Sequence, residues 1–173
     1  DVKQFTTEFT QLVATAQAGK TGLDRAREQV AQVAKPPADT GDAEEAQPHF
    51  DLAKKLIASG RYEEALKELV WCWDEGKKDP EFSRTRSSSV GRELGRLARE
   101  YPPARDVMIA RRNQARERAL ANKGGSVVIQ DLIQLNRELK EDEDTLAVFD
   151  QIPADDRRRV TISIYLFDLL LEK

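Results

Sequence analysis

Along this chain the apolar residues recur at steps of three and four, and the runs are cut by Gly and Pro at nearly even intervals. Phe5, Phe9, Leu12, Val13 and Ala16 form one helical stripe that ends at Gly19 and Gly22. Leu23, Ala26, Val30 and Val33 resume the spacing until Pro36-Pro37, where proline removes a backbone donor and disfavours helix before it. The pattern then repeats in pairs. Phe50, Ala53, Leu56 and Ile57 are answered by Tyr62, Ala65, Leu66, Leu69 and Trp73, and Val90, Leu94, Leu97, Ala98 and Tyr101 by Val107, Met108, Ala115 and Ala119. Ile129, Leu132, Ile133 and Leu139 are answered by Leu146, Phe149 and Ile152. No segment alternates with period two for long enough to make a strand. The spacing predicts an all-α chain forming a single domain over 1–173. Helical hairpins are expected at about 1–35, 42–79, 83–122 and 126–152, followed by a final helix over 155–173.

The reversals inside these pairs fall at Gly19, Gly60, Tyr101 and Glu141, a period of about 40 residues. A fixed period of this size marks a stacked-repeat solenoid, because a single hairpin cannot bury its apolar face alone and leans on its neighbours. The competing reading is an irregular helical bundle with evenly spaced loops.

The second pair carries a more specific pattern. Ala53 stands where two helices cross, with Leu56 beneath it. Gly60-Arg61-Tyr62 makes the turn, Glu64-Ala65-Leu66 opens the return helix, Cys72 is the small residue deeper in it, and Pro80 terminates it. Residues 49–80 thus resemble a tetratricopeptide repeat, over about a quarter of the chain. The resemblance implies a right-handed α-α superhelix whose first helices line a groove for a peptide or protein partner. The groove residues it implies are Gln47, Phe50, Lys54 and Ile57. Packing on a neighbouring helix, or simple solvation, is the other reading of these four.

Charge singles out a second region. The chain has 28 Lys plus Arg against 31 Asp plus Glu, a formal charge of −3. That near-neutrality is an average: residues 1–82 carry −5, residues 83–121 carry +6 and residues 122–173 carry −4. Every base in the middle segment is arginine, whose planar fork suits bidentate carboxylate or phosphate contacts. Arg92, Arg96 and Arg99 share one helical face, at i, i+4 and i+7. The stripe is expected to be neutralised by the acidic neighbouring hairpins, to grip an acidic protein partner, or to contact an anionic ligand or nucleic acid. Overall acidity and the lack of interleaved aromatic residues disfavour nucleic acid.

Catalytic chemistry is not recommended by any residue set. His49 is the only histidine and Cys72 the only cysteine, so neither a second histidine nor a cysteine cluster is available for a metal. No metal, cofactor or catalytic residue is therefore assigned, and the expectation is a non-enzymatic scaffold. Gly19-Lys20-Thr21 lacks the strand and first glycine of a phosphate-binding loop and reads as a helix-ending turn. Glu141 to Asp144 lack calcium-loop spacing and read as a solvated turn. No run of about 18 apolar residues exists to enter a membrane. The chain begins with Asp1, so the compartment stays open between the cytoplasm and export after amino-terminal processing. Finally, Ile162, Ile164, Tyr165, Leu166, Phe167, Leu169, Leu170 and Leu171 cover almost the whole circumference of the last helix. That helix is expected to be half of a further hairpin or to be buried by self-association.

Overall fold

The computed structural model describes residues 46–167, all within the compact unit that begins at Pro36. The hairpin expected over 1–35, with its Gly19-Lys20-Thr21 turn, and residues 168–173 of the final helix lie outside the described residues. Among the described residues there are seven helices and no strand, in accord with the all-α reading. They are α1 (Ala46–Ala58), α2 (Tyr62–Glu75), α3 (83–100), α4 (Pro102–Leu120), α5 (Gly125–Leu139), α6 (Asp142–Gln151) and α7 (Arg157–Tyr165).

Local chemistry sets most of the boundaries. Gly60, at a φ of 73°, turns the chain out of α1, while the Arg61 N–H donates to the Leu56 carbonyl at 2.9 Å and closes the helix end. The Asp79 carboxylate accepts from the Glu81 and Phe82 N–H groups at 2.8 and 3.1 Å, just before α3. Pro102 and Pro103 do not merely separate two helices. They occupy the first turn of α4, where a missing N–H is harmless and the fixed φ is already helical. The acidic turn likewise becomes the first turn of α6, whose free N–H groups and dipole favour Asp142, Glu143 and Asp144. Asp156 caps α7 by accepting from the Arg158 N–H at 2.9 Å.

One local feature has no counterpart in the sequence reading. Within α3, Ser83–Thr85 and Gly91–Glu100 are α-helical, but Arg86–Val90 form a π-helical turn. The Gly91 N–H reaches back to the Arg86 carbonyl, five residues earlier.

Consecutive helices pack on one another, and α3 also packs on α5, α5 on α7 and α4 on α6. Val70 and Trp73 of α2, Leu94 of α3, Val107 and Met108 of α4 and Leu135 of α5 converge in the first half. In the second half, Ala115 and Ala119 of α4, Ile129, Leu132 and Ile133 of α5, Leu146 and Val148 of α6, and Ile162 and Leu166 make a buried cluster. Glycine draws α3 and α5 together. A Cβ on Gly91 would stand 2.9 Å from Cγ of Gln134, and one on Gly95 would stand 2.9 Å from Cβ of Glu138.

Candidate functional site

The fold sorts the arginine segment into two populations. Arg86 is 3% exposed; its guanidinium grips both oxygens of Asp131 on α5, at 2.6 and 2.9 Å. Its Nε donates to the Trp73 carbonyl at 2.5 Å, and its plane lies 4.4 Å over the Trp73 ring. Arg111 bonds Asp74 at 2.7 Å, Arg105 bonds Glu141 at 3.0 Å, and Arg116 bonds Asp144 at 3.1 Å. Arg112 reaches Glu141 at 2.7 Å and the amide oxygen of Asn136 at 2.9 Å. Asn136 is buried and in turn donates to Thr145 at 2.8 Å, so α4, α5 and α6 share one polar network. Every carboxylate in these pairs comes from the acidic segments flanking 83–121.

The predicted stripe belongs to the other population. Arg92, Arg96 and Arg99 are all exposed on α3. Arg96 pairs with its own helix neighbour Glu93 at 2.9 Å, whereas Arg92 and Arg99 form no ion pair within 4 Å among the described residues. They flank the half-buried Glu138 of α5, together with Arg137. Burial pushes the Glu138 carboxyl above its usual range, while the charges of Arg92, Arg99 and Arg137 oppose that shift.

Beside this cluster lies a recess of about 170 Å³, lined by Ser87 and Ser88 of the π-turn, Gln130, Ile133, Gln134 and Arg137 of α5, and Tyr165 of α7. Hydroxyl, amide and guanidinium groups thus surround a single apolar floor residue. The π-turn serves this arrangement because Arg86 is turned into the core, whereas the hydroxyls of Ser87 and Ser88 remain near the surface and donate to the Arg84 carbonyl at 3.2 and 2.8 Å.

The four groove candidates on α1 divide differently. Phe50 is 5% exposed, with its ring edge-to-face against Phe82 at 6.2 Å, so it is a core residue that anchors α1 ahead of α3. Lys54 is exposed, lies 4.8 Å over the Phe50 ring and bonds Asp51 at 2.6 Å. The hydrogen bonds from Lys54 and Gln47 hold the Asp51 carboxyl below its usual range. Gln47 is exposed and Ile57 half-buried. Among the described residues no hydrogen bond or ion pair joins these four to the α3 stripe.

Sequence reasoning found Arg92 and Arg99 but passed over Arg137, Gln134 and Glu138. Gln130, Gln134 and Arg137 do fall at i, i+4 and i+7, the spacing of the arginine stripe, but a search by charge does not register amides. His49 stacks on Trp71 at 4.0 Å and bonds Glu68, which ties α1 to α2. Cys72 is fully buried under the Ala46 carbonyl, and burial pushes its thiol up to about 12. Among the described residues no cluster of three His, Cys, Asp or Glu side chains is arranged to hold a metal ion, and no helix is long and apolar enough to cross a membrane.

Compared with protein-family models, curated proteins and solved structures, the chain matches none of them.

Proposed function

We propose that the protein is a non-enzymatic interaction module, an α-α solenoid of tetratricopeptide-like hairpins that binds an acidic segment of a partner protein. The face shared by α3, α5 and α7 is the binding surface. Two contacts favour the solenoid: alternate helices lie against each other, α3 on α5 and α5 on α7, as stacked hairpins require.

The observation that carries the binding reading is the contrast between the two arginine populations. Arg86, Arg105, Arg111, Arg112 and Arg116 are matched with carboxylates from other helices. Arg92 and Arg99 are left at the surface around one half-buried glutamate, next to a recess lined with hydrogen-bonding groups. An extended acidic segment would lay its carboxylates along Arg92, Arg99 and Arg137 and set a polar side chain among Ser88, Gln134 and Tyr165. Charge would then set orientation and association rate more than raw affinity.

The test is capture of partners by the wild-type chain and by a variant carrying Arg92→Glu, Arg99→Glu and Arg137→Glu, with the bound proteins identified by mass spectrometry. All three side chains are exposed, but their charges favour the ionised form of the half-buried Glu138, so the variant should melt somewhat below wild type while staying folded and helical at the assay temperature, and should lose the acidic partners. Unchanged partners at unchanged yield would sink the proposal. Binding of DNA or RNA oligonucleotides that weakens steeply with salt, with no protein captured, would instead favour the nucleic-acid reading.

A further inference from the structure

One residue of the arginine face opposes the charge around it. Glu138 of α5 lies directly on the backbone of α3, in the space that Gly95 leaves open. A Cβ on Gly95 would stand 2.5 Å from Oε2 of Glu138 and 3.2 Å from its Cδ. Gln134, one turn earlier on α5, fills the matching space at Gly91 and donates to Oε1 of Glu138 at 3.0 Å. Two glycines four residues apart on α3 thus seat an amide and a carboxylate. Along α3, Gly95 falls between Arg92 and Arg99, so the seated carboxylate stands between the two exposed arginines. Their charges and that of Arg137 act on it, yet among the described residues neither Arg92 nor Arg99 closes an ion pair with it. The face therefore runs positive, negative, positive over about 10.5 Å, the rise of seven helical residues at ~1.5 Å each.

We infer, on the acidic-segment reading of this face, that Glu138 selects the spacing of the partner's acids. The partner is an extended segment with an acidic residue at every third position and uncharged residues between. Specificity is a difference of affinities, and a fixed repulsive group supplies it. Unfolded acidic segments populate the polyproline helix, with three residues per turn and a rise of ~3.1 Å per residue. Carboxylates three residues apart then line one side at ~9.3 Å, and a flexible arginine side chain takes up the difference from the separation of Arg92 and Arg99. A β-strand fits less well, since its same-side residues recur at about 6.7 Å.

In the polyproline form the two intervening residues turn away from the carboxylate line, so no negative group is set over Glu138. Consecutive acids would instead bring a carboxylate close to it. At about 5 Å, in a dielectric near that of water, such a repulsion weakens binding by about three- to tenfold.

Fluorescence anisotropy of two labelled peptides of equal composition, titrated with the full chain at about 0.15 M salt, tests this. One peptide carries four Glu-Ala-Pro triplets. The other carries the four Glu consecutively, followed by the same Ala and Pro residues. The wild-type chain should bind the spaced peptide about three- to tenfold more tightly. Glu138→Gln keeps the shape and leaves an amide oxygen for Gln134 to donate to. It should tighten binding of the block peptide by about the same factor and shrink the preference below about twofold. The readout is a ratio of two affinities, so a general change in charge or stability cancels from it. Equal affinities in the wild type, tighter binding of the block peptide, or a ratio that Glu138→Gln leaves unchanged would overturn the spacing rule while the acidic-segment reading stands. Failure of both peptides to bind at about 1 mM would remove that reading, and the spacing rule with it.

Discussion

Truncating Arg86 should unfold more of this protein than any other single loss of charge, and the geometry gives the size of the effect. Arg86→Ala leaves the Asp131 side chain, only 16% exposed, without its counter-ion and removes the donor that satisfies the Trp73 carbonyl. Removing one member of a buried pair costs about 3–5 kcal/mol, because the stranded charge has lost its water and gained nothing. Residual water at Asp131 puts the expectation at the lower end, about 3–4 kcal/mol. With a urea dependence of about 2 kcal/mol per molar, the midpoint should fall by about 1.5–2 M.

Fluorescence suits the assay, since both tryptophans of the chain, Trp71 and Trp73, lie on α2, and Trp73 sits directly beneath Arg86. Arg86→Lys keeps the charge but loses the fork and the stacking, and should fall between wild type and Ala. The paired replacement Arg86→Met with Asp131→Leu removes both charges and should recover much of the loss. A midpoint shift below about 0.5 M for Arg86→Ala, or a pair as unstable as the two single losses summed, would refute the reasoning.

Three further outcomes follow from the same contacts. Lys140 ends α5 at a φ of 61°, a conformation that strains a side chain but not glycine, so Lys140→Gly should stabilise by about 0.5–1 kcal/mol in thermal melts. Moving the Cys72 thiol from 9.0 to about 12 leaves about a thousandfold less thiolate at pH 8, so a thiol reagent should label it only in denaturant; rapid labelling of the native chain would contradict its burial. The side-chain and backbone hydrogen bonds from Arg158 hold the Asp156 carboxyl down at about 2, against an ordinary 3.8. A depressed carboxyl stabilises above its unfolded value and loses that effect as pH falls through its folded value, so the difference in melting temperature between wild type and Asp156→Asn should be nearly full at pH 5, shrink between there and about pH 2, and disappear only below it.

The helical character of the described residues was legible because an amphipathic stripe is a local property, repeated every turn and written in Leu, Val and Ala. Their reversals were legible for the same reason, since Gly60 has the backbone freedom that its turn demands. The misplacements were also local in cause. Pro102-Pro103 read as punctuation although proline is equally at home in a first helical turn, and Phe50 read as a groove residue because nothing near it in sequence announces Phe82.

The charge pattern shows the division most plainly. Segment by segment, sequence alone determined that an arginine-rich block stands between two acidic ones, and that Arg92, Arg96 and Arg99 share a face. It did not determine which arginines would be consumed within the fold. Arg86 meets Asp131 from 45 residues away and Arg111 meets Asp74 from 37. Such pairings depend on how far one helix slides against the next, which is settled by the close approach of α3 and α5 at Gly91 and Gly95 and by the widened turn that swings Arg86 inward. Helical periodicity is decided within a few residues, whereas the partner of a charge is decided by the lateral packing of whole helices. Only the tertiary structure therefore separated the arginines that hold the fold together from those it leaves facing outward.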